Sequence, residues 1–172
     1  MMMKRRETKK GQVFTIDFIL GLVGFIFLVL IAIKLIISIV PTDDFKMLNE
    51  ENIYVNEMLM QEGYPDEWNT SEVIIPGITS DHRLNKTKLK EFDELRYQHT
   101  KGLFHITSEY VIQFYRNGTP LNITKCVHGY PIQTNSTCHP QFDTLTYSNF
   151  IKSERLLIYD SSIIRMVIYS WD

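Results

Sequence analysis

The residues best suited to chemistry lie late in the chain. Cys126 and His128, then Cys138 and His139, offer two thiols and two imidazoles. In composition that is a zinc set. The spacing argues against it. Structural zinc sites leave two or more residues between paired ligands so that both can turn to one ion, and Cys138 and His139 are adjacent. In an oxidising compartment Cys126 and Cys138, the only two cysteines, would bridge a short loop and add roughly 2–3 kcal/mol. The disulfide is the expected state, with free thiols and a metal as the alternatives. Ser80-Asp81-His82 places three triad residue types side by side, but a triad is assembled in space, and the run reads as a polar loop. There is no Gly-x-Ser-x-Gly, phosphate loop, His-Glu-x-x-His or Gly-x-Gly-x-x-Gly. No catalytic residue, metal or cofactor is expected. Trp68, Trp171 and the nine tyrosines could form a sugar-binding surface. Core and sheet packing explains them more simply.

Five asparagines carry a different chemistry. Asn69, Asn85, Asn117, Asn122 and Asn135 each begin an Asn-x-Ser/Thr sequon, and all follow residue 68. One such tripeptide means little. Five in one segment suggest a glycosylated surface protein.

The element that would carry these groups outside the cell is near the start. Residues 18–33 contain no polar side chain, and the apolar run extends from 13 to 40 with Asp17 and Lys34 as its charged members. As a helix that stretch would measure about 42 Å, more than a ~30 Å hydrocarbon core. Lys34 could snorkel to the interface. A buried core helix is the alternative, but the run is too long and too uniformly apolar. A cleaved secretory signal is another, but it needs a shorter apolar region and a small-x-small exit. Residues 1–10 hold five basic side chains against Glu7, a net +4, and the remaining 13 basic and 19 acidic residues give −6. The basic cluster precedes the span, so residues 1–10 are expected in the cytoplasm and the body outside. A mildly acidic body without a Lys/Arg stripe argues against nucleic acid as a partner.

Beyond the span, residues 43–62 read as an amphipathic helix on Phe45, Leu48, Val55, Met58 and Leu59, stopped by Gly63. Pro41 would separate the two helices or kink one long one. Asn85 reads as the N-cap of a helix with Leu89, Phe92 and Leu95 on one face. After Gly102 the period becomes two. Residues 110–115 alternate, Asn117-Gly118 marks a hairpin turn, and 119–127 is the expected return strand, with Pro120 making it an edge. Residues 155–159 and 163–169 flank Asp160-Ser161-Ser162 as a second hairpin. The expected fold is α+β: a long membrane-spanning helix, then an α+β head with an antiparallel sheet. The expected divisions are a leader at 1–11, the spanning helix at 12–40, its amphipathic extension at 41–62 and the head at 63–172.

The run "KKGQVFTIDFILGLVGFIFLVL" resembles the N-terminus of archaeal type IV pilin-like proteins with a class III signal peptide. "GYPDEWN", "ITSDHRLNKTKLKEF" and "RLLIYDSSIIRMVIYSW" are loosely similar to the heads of such proteins. The resemblance implies cleavage by a prepilin-type peptidase between Gly11 and Gln12, with Lys9 and Lys10 marking the approach, and partnership with membrane lipid and other pilin-like subunits. The family usually carries Glu at the fifth mature position, whereas Asp17 is sixth if Gln12 is first. Cleavage would remove the basic leader and free an α-amino group. An ionised Asp costs ~2.5–3.5 kcal/mol at a helix centre and less near the interface. Pairing with a neighbouring subunit's amine would offset that cost and set register between packed helices. The alternatives for Asp17 are a carboxylate resting in headgroup water and an N-cap. Gly21 and Gly24 fall one residue short of GxxxG spacing. The expected function is a surface subunit acting by assembly. The alternative is a monomeric, signal-anchored ectodomain that binds a cell-surface partner or envelope polymer.

Overall fold

The computed structural model describes residues 10–39 and 43–172, with side chains described from 16 to 37 and from 43 onward. Pro41, the expected separator of the first two helices, and Lys9 lie outside the described residues. Two compact units result, Met1–Thr42 and Asp43–Asp172.

The first unit is a single helix, α1 (Lys10–Ile39). Its uniformly apolar composition leaves no polar stripe, and none of the residues in Ile16–Ile37 is buried.

The second unit is a mixed α+β domain. Helix α2 (Asp43–Leu59) opens it, with Asp43 and Asp44 in the first turn where the helix dipole favours negative charge. Its inner face buries Leu48, Val55 and Leu59. Gly63, at φ +85°, ends this segment in the left-handed region. A Cβ there would stand 2.6 Å from the Trp68 ring, so the position requires glycine on two counts. The short strands β1 (Thr79–Ser80) and β2 (Arg83–Leu84) follow, then helix α3 (Lys86–Glu94), helix α4 (Tyr97–Phe104), β3 (Glu109–Arg116), β4 (Thr119–Leu121), β5 (His128–Gly129), β6 (Phe150–Tyr159) and β7 (Ser162–Trp171).

The expected cap is present. Asn85 accepts hydrogen bonds from the Thr87 and Lys88 amides at 2.9 and 3.2 Å, and Leu89 and Phe92 are buried. Helix α4 has no counterpart among the expected elements. It spans eight residues, its N-cap Arg96 makes no side-chain cap bond, and His105 closes it in the left-handed region. Such a short, weakly capped helix is held by burial of Thr100 and Phe104 rather than by local signals. The hairpin at Asn117-Gly118 forms, but the return strand stops at Leu121 instead of continuing to 127. Pro120 cannot donate to the ladder, and the chain leaves it at once.

The sheet order is β1-β2-β6-β7-β3-β4, with β5 also on β3. Most neighbours are antiparallel, but β2 runs parallel to β6 through Arg83 and Ile158, so the sheet is mixed. One face packs Tyr110, Ile112, Phe114, Ile164, Met166 and Ile168 into a core with α2 and α3 side chains. On the other face Phe142 meets Phe150, Tyr169 and Trp171, and Gln113 donates to the Cys138 carbonyl.

Candidate functional site

Among the described residues, the exposed helix α1 and a cleft beside β5 are the first candidates for a role beyond holding the fold.

In α1, the 22 residues Ile16–Ile37 present an exposed surface that is apolar except for Asp17 and Lys34. At 1.5 Å per residue they measure about 33 Å, close to a hydrocarbon core. By length and composition the helix can cross a membrane, as an anchor or as a signal. Asp17 and Lys34 are both exposed near its two ends. Their spacing corresponds to about 26 Å of rise, so a helix crossing a membrane would have both charges close to the two interfaces at once. No side chain lies within 4 Å of where a Cβ would stand on Gly21 or Gly24, so another helix could approach there. Lys10, Gly11 and Gln12 are helical in backbone, and their side chains lie outside the described residues.

In the second unit, Cys126 and Cys138 form a disulfide with Cα atoms 5.0 Å apart. The zinc alternative is not assembled, because the sulfurs are bonded to each other and the two imidazoles part company. His139 is exposed. His128 is buried and its Nδ1 lies 2.6 Å from Asp93 Oδ1. Thr124 Oγ1 donates to Asp93 Oδ2 at 2.6 Å, and Lys125 Nζ donates to the Asp93 carbonyl at 3.0 Å. Burial pushes the Asp93 carboxyl up, but the His128 bond and charge, Thr124 and Lys125 together outweigh it and hold it below the usual carboxylate range. An ionised Asp93 only accepts, so the hydrogen between them sits on His128 Nδ1.

These residues border a cleft of about 270 Å³ whose walls include Phe92, Leu95, Tyr97, Lys125 and Tyr130. Tyr97 meets Tyr130 edge-on at 5.6 Å, and its hydroxyl donates to Glu109, which also takes Lys101 Nζ at 2.8 Å. Asp93 and His128 are two members of a nucleophile-activating array. The third is missing: His128 Nε2 has no hydrogen-bond partner among the described residues. The Asp93–His128 bond is a clasp that ties the disulfide loop to α3. No local pattern announces it, because its partners are 35 positions apart and meet only after the β3–β5 pairing forms.

Ser80-Asp81-His82 is the β1–β2 turn, with Asp81 and His82 at positive φ, and Ser80 Oγ accepts from Asn85 rather than facing a base. Trp68 is buried with its indole N–H on the Gly77 carbonyl at 2.9 Å, and Trp171 is buried too. Asn69, Asn117, Asn122 and Asn135 are exposed. Asn85 is half-buried, its carbonyl oxygen capping α3 and its Nδ2 on Ser80 Oγ at 3.0 Å. Among the described residues no cluster of three or more metal-binding side chains occurs.

Comparison of the chain with protein-family models, with curated proteins and with solved structures finds no match.

Proposed function

We propose that the chain is a pilin-like or pseudopilin surface subunit that anchors and assembles through α1, with its α+β head on the extracytoplasmic side. The observation that carries this reading is the unburied apolar surface of Ile16–Ile37 interrupted near one end by Asp17. Roughly 33 Å of apolar helix must be covered by lipid or by other helices. At the end of the span a simple anchor tolerates that carboxylate in headgroup water, while a packed bundle of helices can also use it to set register. In this reading a prepilin-type peptidase cuts between Gly11 and Gln12, and Asp17 pairs with the freed amine of a neighbouring subunit. The disulfide supports an oxidising compartment for the head. The chain works by packing and carries no catalytic site.

The test is Asp17→Lys in the native host, followed by recovery of the protein in material sheared from the cell surface. The substitution should abolish recovery while the membrane-bound protein keeps its disulfide. Equal recovery would sink the assembly role of Asp17.

One observation favours the second reading, a monomeric anchored ectodomain that binds an envelope polymer. The cleft beside β5 presents Tyr97 and Tyr130 with Lys125, a mixed aromatic and polar wall suited to a sugar chain.

A further inference from the structure

We propose that the open edge of β6 is a docking surface for a second copy of this chain, the two β6 strands pairing antiparallel about Ser153 to continue the sheet across a two-fold axis. This surface belongs to the head and does not depend on association through α1.

Strand β6 pairs with β7 along its whole length. On its other side β2 touches it only at Ile158. From 150 to 157 no strand lies there among the described residues. The direction of the main-chain groups follows from the hairpin. Asp160 and Ser161 form a two-residue turn, both at positive φ, so Tyr159 and Ser162 are a hydrogen-bonded pair. Alternation then aims the amides and carbonyls of Ile151, Ser153, Arg155 and Leu157 at β7. Those of Phe150, Lys152, Glu154 and Leu156 point outward, with the Glu154 carbonyl accepting from the exposed Arg155 guanidinium at 3.1 Å and keeping a second lone pair. The same count applied across the sheet turns the Tyr110 carbonyl away from β7, where it accepts from the Tyr130 amide at 2.8 Å. An open edge of this length is a template for another strand unless its side chains forbid one.

The side chains here select rather than forbid. Antiparallel pairing must bring outward-facing residues opposite outward-facing residues, so the centre of symmetry moves along the strand one residue at a time. Centred on Lys152, the strand sets Lys152 against its own copy. Centred on Glu154, it sets Glu154 against its copy. Both are like-charge pairs and unfavourable. Centred on Ser153, Lys152 faces Glu154 of the second copy and Glu154 faces Lys152, twice complementary by symmetry. The same register sets Phe150 opposite Leu156, which is 67% exposed. Within one chain Glu154 already holds Lys152 at 2.7 Å and Arg165 at 3.2 Å. Pairing brings a further lysine to each carboxylate and joins the two clusters. Leu156, Ile158 and Ile163 lie together on this face at the hairpin end of the strand, all exposed. Pairing covers the first of them.

The test uses the full-length protein in detergent micelles. In the Ser153 register two copies of residue 153 form a non-hydrogen-bonded pair with Cα atoms about 4.5 Å apart, within reach of a disulfide. Ser153→Cys should therefore give a reducible dimer on mild oxidation, in greater yield than Lys152→Cys. Adding Lys152→Glu should abolish that dimer, and adding Glu154→Lys to the same chain should restore it. Adding Asp17→Lys instead should leave it unchanged. No dimer from Ser153→Cys, a dimer indifferent to the charge changes, or one lost with Asp17→Lys would each overturn the proposal.

Discussion

Glu51 shows how single side chains hold the head together. It projects from α2 and accepts from the Thr107 amide and hydroxyl, both at 2.9 Å, and from the Ser108 amide at 2.8 Å. Burial raises the Glu51 carboxyl, but the bonds from Ser108 and Thr107 outweigh it and hold it below its ordinary value. A carboxylate depressed in the folded state stabilises fully above its unfolded pKa, and that contribution fades as pH falls through the lowered folded value. Glu51→Gln should therefore lower stability at neutral pH by about 1 kcal/mol, with the partly exposed site limiting the loss. Thermal unfolding followed from neutral to acid pH should show the wild type losing more stability than the variant. Parallel curves would place the effect elsewhere. Asn85 makes a second case. Its oxygen caps α3 and its Nδ2, the atom that would take a glycan, is bonded to Ser80 in a half-buried position, so glycan transfer there would cost the Ser80 bond. Asn85→Ala should destabilise by about 1 kcal/mol, and mass spectrometry of native glycopeptides should find Asn85 bare even where exposed sequons are occupied.

Among the elements, those with strong local signals were legible. The apolar run named α1, the apolar spacing from Leu48 to Leu59 named α2, Asn85 named the start of α3, and two turns named both hairpins. Each signal is a short-range physical preference that the tertiary fold did not need to override. What the chain concealed was set at long range. The parallel pairing of β2 with β6 joins positions 75 residues apart, α4 is held by burial, and the early end of β4 follows from Pro120 at an edge. The candidate site divides the same way. The disulfide was readable from two cysteines near each other, whereas the Asp93–His128 clasp between its loop and α3 was not. The disulfide spans 12 positions and encloses β5. Replacing both Cys126 and Cys138 by Ser should cost about 2–3 kcal/mol. Denaturant unfolding measures it, and an unchanged midpoint would show that the clasp alone holds the loop.

At the scale of the whole molecule, two units divide the labour. One is a helix with no buried apolar residue among those described, and the other is a folded head with its own core. Their juxtaposition in one chain, with Asp17 near one end of the apolar surface, is what the proposal of a processed, assembling subunit rests on. The most direct test is the N-terminal sequence and intact mass of the protein purified from its native membrane. Assembly after processing requires a chain beginning at Gln12, with residues 1–11 gone and a free amine available to a neighbour's Asp17. A chain beginning at Met1, or within its first few residues, would contradict it and leave α1 as an anchor alone.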